Sequence, residues 1–350
     1  MKLTSADARR ALSAVLLCTV AAVPKAFSAS CTTQSQMNPA QRSGLEDTAR
    51  AVLSDVQTGN VQGIRSMTVP SVAADFAGLS GAITHLQPLV QSATITVDDL
   101  YMLDAADSPA GAARTDFFCG SPVVAITFTG LPSGTYALAI VHATGVLHPQ
   151  QISLVLARSP DNRWLLGGMM NKPMTAAGHD GLWYWTSARK YAQSRMNWDS
   201  WFYYRMAENL LIPMDSISSP NLEKLRHEAD QVRPGELPGK AAMSFYDQGM
   251  LFTVTAIDTT TTFGSLDLDV QYAPDANEAA QLRDPALARR QVTTVMAKLL
   301  AMHPELRGAF HGIWVHADQG SNSLFALELP MEQIAAITPA ANMPGSSIQH

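Results

Sequence analysis

Charge is what this chain has least of. Asp, Glu, Lys and Arg make up 15% of its 350 residues, and 30 acids against 24 bases leave a net charge of −6. Soluble proteins carry roughly 25% charged residues. A chain so lightly and negatively charged has no basic surface to neutralise phosphates, which excludes nucleic acid as a partner. Long apolar runs are also missing. Beyond residue 23 no stretch of 18 apolar residues occurs, so the remainder holds no transmembrane segment. There are three cysteines, none in a C-x-x-C pair. The sequence has no G-x-S-x-G elbow, H-E-x-x-H helix, P-loop or G-x-G-x-x-G turn. Familiar hydrolases, zinc proteases and nucleotide enzymes therefore lack their usual signatures here. Triads assembled from distant residues stay invisible at this level.

What is present begins at the N-terminus. Lys2, Arg9 and Arg10 precede an apolar run over residues 11–23, Pro24 breaks it, and Ala26-Phe27-Ser28-Ala29 supplies small side chains. This is the layout of a secretory signal peptide, residues 1–28. The run is far below the ~20 residues that span a bilayer. Export to the periplasm or the extracellular space is the expectation. Two other signals are partly present. Cys31 follows Ser28-Ala29-Ser30, which resembles a lipoprotein processing site without its large apolar residue, and Arg9-Arg10 resembles a twin-arginine signal in poorly fitting flanks. Cleavage after Ser28 removes Cys18 and leaves Cys31 and Cys119, which predicts one disulfide in an oxidising setting. The alternatives are a lipidated or free Cys31, with Cys119 a buried apolar residue.

After a polar leader over residues 32–42, Leu45, Ala49, Val52, Leu53 and Val56 recur at helical spacing, and residues 61–67 and 71–90 continue as helix. The period then changes to two. Residues 95–103, 135–144, 151–157 and 164–170 read as strands, and residues 117–129 as one interrupted strand. Turns fall at 131–134 and 159–162. Helices followed by four or five antiparallel strands form an α+β arrangement, the curved antiparallel sheet wrapped on the helices. This element order over residues 41–172 resembles the nuclear-transport-factor-2-like (cystatin-like) superfamily. The resemblance implies a scaffold at residues 29–175 whose cone, between sheet and helices, serves as a small-molecule pocket, an enzyme active site or a dimer surface. It leaves function open.

Residues 182–196 and 198–212 read as two unusually aromatic helices. Tyr184, Ala188, Tyr191, Ser200, Tyr204 and Ala207, followed by Pro213, resemble the spacing of one tetratricopeptide repeat. A single unit cannot bury a continuous core, so the expectation is a helical hairpin packed on its neighbours. With a third helix capped by Ser219 it occupies residues 176–232. Residues 233–240 read as a linker. Residues 241–338 form a ββαββ unit: strands at 251–257, 266–272, 309–317 and 323–329, and a helix through Leu287 to Leu300 on one face of an antiparallel sheet. The tail, residues 339–350, has too little apolar content to fold.

Candidate polar groups are few. His142 shares a strand face with Tyr136, Leu138 and Ile140. If that face lines the cone, His142, Tyr136 and Tyr101 are candidates to bind a ligand or move a proton; the plainer account is a hydrogen-bonded or solvated histidine. His179 and Trp183 stand where the hairpin begins, and pockets favour such junctions; Asp180 is more simply a helix cap or turn residue. The hairpin aromatics fit a core better than a binding face. His303, His311 and His316 are close in sequence, but their spacing puts the last two on opposite strand faces. They are taken as structural, with no metal or cofactor. Asp267 and Asp269 read as a solvated strand face. The expected function is a non-catalytic envelope protein that binds a small molecule or another envelope protein. The rival is an enzyme working in the N-terminal cone.

Overall fold

The computed structural model describes residues 29–109, 112–121, 123–239, 241–247, 249–320 and 322–337. The stretch read as a signal peptide, which includes Cys18, and the tail read over residues 339–350 lie outside these. The N-terminal unit contains β1 (Ser30–Thr33), α1 (Pro39–Thr58), α2 (Val61–Ser66), α3 (Pro70–Ala74), α4 (Ala77–Val90), β2 (Thr94–Asp104), β3 (Arg114–Cys119), β4 (Val124–Thr129), β5 (Thr135–Thr144), β6 (Gln150–Arg158) and β7 (Trp164–Pro173). Helix α1 starts where Asn38 and Gln41 cap each other reciprocally, and it stops at Gly59 in the left-handed conformation. Its apolar stripe, Leu45, Ala49, Val52, Leu53 and Val56, is fully buried.

The main sheet is antiparallel, in the order β1-β2-β5-β6-β7. The supposedly polar leader supplies its edge strand, Cys31 pairing with Leu103. Residues 117–129 are not one interrupted strand. Gly120 takes φ +68° and turns the chain, so β3 and β4 pair with each other in a second sheet. The third strand of that sheet arrives much later in the chain.

The middle segment is β8 (Thr175–Ala176), β9 (His179–Asp180), α5 (Gly181–Gln193), α6 (Asn197–Leu211), β10 (Ile217–Ser218) and α7 (Pro220–Val232). Small residues bring α5 and α6 together: Ser200 is buried in α6, and its Oγ donates to the carbonyl of Ala188, 2.9 Å away in α5. Most of the hairpin aromatics, Tyr184, Trp198, Phe202, Tyr203 and Tyr204, are buried. Strand β10 then returns to the first unit and pairs with β4, Ile217 opposite Ile126.

The last unit is β11 (Met243–Asp247), β12 (Met250–Thr260), β13 (Asp267–Tyr272), α8 (Ala276–Gln281), α9 (Pro285–Met302), α10 (Leu306–Ala309), β14 (Gly312–Gln319), β15 (Asn322–Pro330) and α11 (Met331–Ile337). The whole is α+β. Two features differ from the expected ββαββ unit. There is a further strand, β11, hydrogen-bonded to β12. The sheet is mixed rather than antiparallel, because β13 and β14 run parallel, Leu268 opposite Ile313. The helical connection between them is long enough for a crossover, and a crossover returns the chain in the same direction.

Three apolar clusters hold the fold. One lies between α1, α4 and the main sheet. A second lies on the other side of that sheet, under β3, β4 and residues 212–222. The third is continuous from Ala176 to Ile334, so the hairpin and the last sheet share one core. The stretch read as a linker also joins in: Leu237 is buried, and Glu236 accepts a hydrogen bond from the Trp198 indole at 2.8 Å.

Candidate functional site

Strand β5 decides what the N-terminal unit can hold. Its residues alternate between two covered faces. Ala137, Ala139, Val141 and Ala143 face the helices; Leu138 and Ile140 face the second sheet. The space beneath the helices is filled by Leu45, Leu53, Ile83, Leu86, Leu154 and other fully buried apolar side chains. Tyr136 and His142 share the face of Leu138, and so does Tyr101, whose register partner is Leu138. All three candidates thus point away from the helices. This corrects the expectation that they line the cone.

They also do not converge. Six residues of strand separate Tyr136 from His142, roughly 20 Å at the usual rise. The Tyr136 hydroxyl donates to the carbonyl of Pro132 at 2.9 Å. The His142 ring is held at both ends, Nδ1 2.8 Å from Asp98 Oδ2 and Nε2 3.1 Å from Gln151 Oε1. Tyr101 borders an open cleft of about 480 Å³ beside the disulfide, with Arg42, Asp99 and Ser121. Burial, reinforced by the Asp99 charge, pushes its hydroxyl up to about 12. Tyr101 therefore stays protonated near neutrality and is not a base there.

His179 and Trp183 do meet. Their rings stack at 3.6 Å and 5° on the surface at the start of α5. Asp180 between them caps the helix, accepting from the Trp183 amide at 2.8 Å. Trp183 remains 40% exposed and Leu182 beside it 60%.

The disulfide is present. Cys31 and Cys119 are bonded, their Cα atoms 5.1 Å apart, and this ties β1 of the main sheet to β3 of the second.

A gathering of charge lies elsewhere, where elements of the three units meet. Two adjoining clefts of about 460 Å³ each share Arg205 and Glu208 of α6, Arg226 of α7 and Asp258 of β12. Lys172 of β7, Asn209, Asp215 and Thr259 line one of them; Trp201, Asp230 and Arg233 line the other. Arg226 is fixed, its guanidinium 2.9 Å from Glu208 and 2.8 Å from Glu223. Arg205 also pairs with Glu208. The guanidinium groups of Arg205 and Arg233 both lie over the Trp201 ring, at 6.0 and 5.6 Å. Lys172 reaches Asp215 at 3.1 Å. In a chain with so little charge, four cations and four carboxylates in one groove make a lining of both signs. Sequence reasoning missed it because its residues come from four separate stretches, each of which reads locally as a solvated face.

A second cluster concerns metal chemistry. His311 is not grouped with His303 and His316. It meets Asp267 and Glu328, and one ligand atom from each lies within 4.8 Å of the other two. Asp267 is fully buried, which corrects its reading as part of a solvated face. Burial, with the Asp267 charge adding to it, pushes the Glu328 carboxyl up, and His311 opposes the shift. His316 stands apart, 3.4 Å from Asp269. Comparison with protein-family models, with curated proteins and with solved structures gives no match for the chain.

Proposed function

We propose that the chain is an exported bacterial envelope protein that binds a polar ligand without transforming it, and that the charged groove between the three units is where it binds. The observation that carries the reading is this groove, lined from β7, α6, α7 and β12 by groups of both charge signs around Trp201. Such a lining suits a ligand bearing both signs, because each buried charge of the ligand then finds a partner. Clefts between packed units are common ligand sites. Export is supported by the leader-like first 28 residues and by the disulfide, a bond that persists in oxidising compartments. Among the described residues no helix is long and apolar enough to cross a membrane.

The rival, an enzyme in the N-terminal unit, would have to work in the open cleft at Tyr101. The helix-covered side of that sheet is filled with apolar side chains.

A thermal-shift and native mass-spectrometry screen of residues 29–350 against zwitterionic metabolites and short peptides tests the proposal. A bound ligand should lose at least tenfold in affinity in Arg233→Ala and in Thr259→Ile, which remove a cation from the groove and narrow it. A ligand indifferent to both changes, or turnover with no stable complex, overturns the reading.

A further inference from the structure

We propose that Asp267, His311 and Glu328 form a binding site for a divalent first-row cation, zinc by their donor chemistry, at one end of strands β13, β14 and β15 of the C-terminal sheet. The topology brings them together. Asp267 opens β13, His311 stands one residue ahead of β14, and Glu328 lies two residues before the end of β15. The parallel pairing of β13 with β14 and the antiparallel pairing of β14 with β15 set them side by side: Leu268 opposes Ile313, and Trp314 opposes Glu328. Leu268, Ile313 and Val315 face the core, so Asp267, Trp314 and Glu328 face the other way.

Two independent observations go beyond the clustering. The first is unmet bonding capacity. Asp267 is 0% exposed; its Oδ1 lies 3.0 Å from His311 Nδ1, but its Oδ2 has no partner. Glu328 Oε1 is likewise buried and unpartnered. Two buried carboxylate oxygens without donors are costly, and a cation between them satisfies both. The second is the space itself. At Gly312 a Cβ would come within 2.6 Å of Glu328 Oε1 and 3.1 Å of Asp267 Oδ1. The carboxylates approach this point only because residue 312 has no side chain.

One imidazole nitrogen and two carboxylate oxygens suit zinc, with bonds of roughly 2.0–2.2 Å, better than calcium or magnesium, which prefer all-oxygen shells. Atoms already within 4.8 Å of one another have only a short way to close to the roughly 3.3 Å separation of tetrahedral ligands. His311 is half exposed, so the fourth position opens to solvent. The competing account is a proton shared by the two carboxylates.

Untagged protein spanning residues 29–350, stripped with a chelator, is titrated with zinc chloride against a chromophoric competitor. The expected result is one equivalent bound, with affinity weakened at least thirtyfold in Glu328→Gln and in His311→Gln and unchanged in His316→Gln. The melting temperature of the unsubstituted protein should climb with zinc, while that of Glu328→Gln should not. Both tested side chains are partly exposed, and circular dichroism checks that each variant is folded. Failure to bind zinc would overturn the site and favour the shared proton. Zinc binding untouched by both substitutions would place the metal elsewhere and overturn it equally. Neither result bears on the charged groove.

Discussion

At the scale of single residues, Asp199 has an unfavourable environment for a charge. It sits in α6, 1% exposed, and neither carboxylate oxygen has a hydrogen-bond partner among the described residues. Burial, with the nearby Glu305 charge, pushes its pKa up to about 7; Tyr191 and Tyr203 are its other titratable neighbours. The folded state thus keeps a proton that the unfolded chain releases near pH 4. The favourable contribution is complete below about pH 4, falls as pH rises, and levels off above about 7. A carboxyl raised from about 4 to about 7 contributes at most about 4 kcal/mol. We expect Asp199→Asn to stabilise the protein at pH 8 and to flatten stability between pH 5 and 8. Urea melts at both pH values decide it; parallel profiles for the two proteins would contradict the assignment. Some residue roles were legible in sequence: the cysteine pair, the Asp180 cap and the Ser219 cap. The Asp267 role was not. Alternation of Leu266, Leu268 and Val270 with Asp267 and Asp269 signals a wet strand face, and the sequence does not show that His311, Gly312 and Glu328 come to lie beside Asp267.

At the scale of elements, one carboxylate clamps three helices. Glu228 of α7 accepts hydrogen bonds from the Trp185 indole and the Arg189 guanidinium of α5, all at 2.8 Å, and from the Tyr204 hydroxyl of α6 at 3.2 Å. Burial works against its charge, yet the donors from Arg189 and Trp185 hold its carboxyl below the usual range. Removing one member of such a partly buried network leaves the others unpaired. Glu228→Gln should therefore cost about 2–3 kcal/mol. A double-mutant cycle with Arg189→Met should return a coupling of about 1 kcal/mol or more; additive effects would mean that the clamp is decorative. Helix and strand periods were legible in the hairpin and in β2, β5, β6 and β7 of the main sheet, but not in its edge strand β1, which lies partly in the polar leader. The parallel β13–β14 pair was legible in principle, since the helical stretch joining them has the length of a crossover. The β3–β4 hairpin was hidden because its turn, at Gly120, is too short to separate two apolar runs by composition.

At the scale of the whole molecule, no unit closes on itself. The N-terminal unit's second core is completed by Ile212, Met214, Ile217 and Leu222 from beyond the hairpin, and the hairpin in turn donates the Tyr203 hydroxyl to the carbonyl of Ala309 at 2.8 Å. A chain ending at residue 176 would strip Ile212, Met214, Ile217 and Leu222 from the core that also holds Leu103, Phe117, Ile126, Leu138 and Ile140. We expect residues 29–176 alone to self-associate and to bind a hydrophobic dye, as size-exclusion chromatography and fluorescence would report. A monomeric fragment melting as sharply as the full chain would show that β10 is dispensable. Boundaries read from composition shifts cannot reveal this, because two residues of strand carry no compositional signal. The lending of β10 also has a consequence in time. The chain emerges from its N-terminus, so β4 can pair with β3 at once but waits for almost ninety further residues before its second neighbour, β10, exists. In an oxidising compartment Cys31 and Cys119 can bond as soon as β3 has followed β1, before β10 arrives. Their cross-link can hold the half-built sheets in register, and it works as a temporary scaffold before it becomes a permanent fastening.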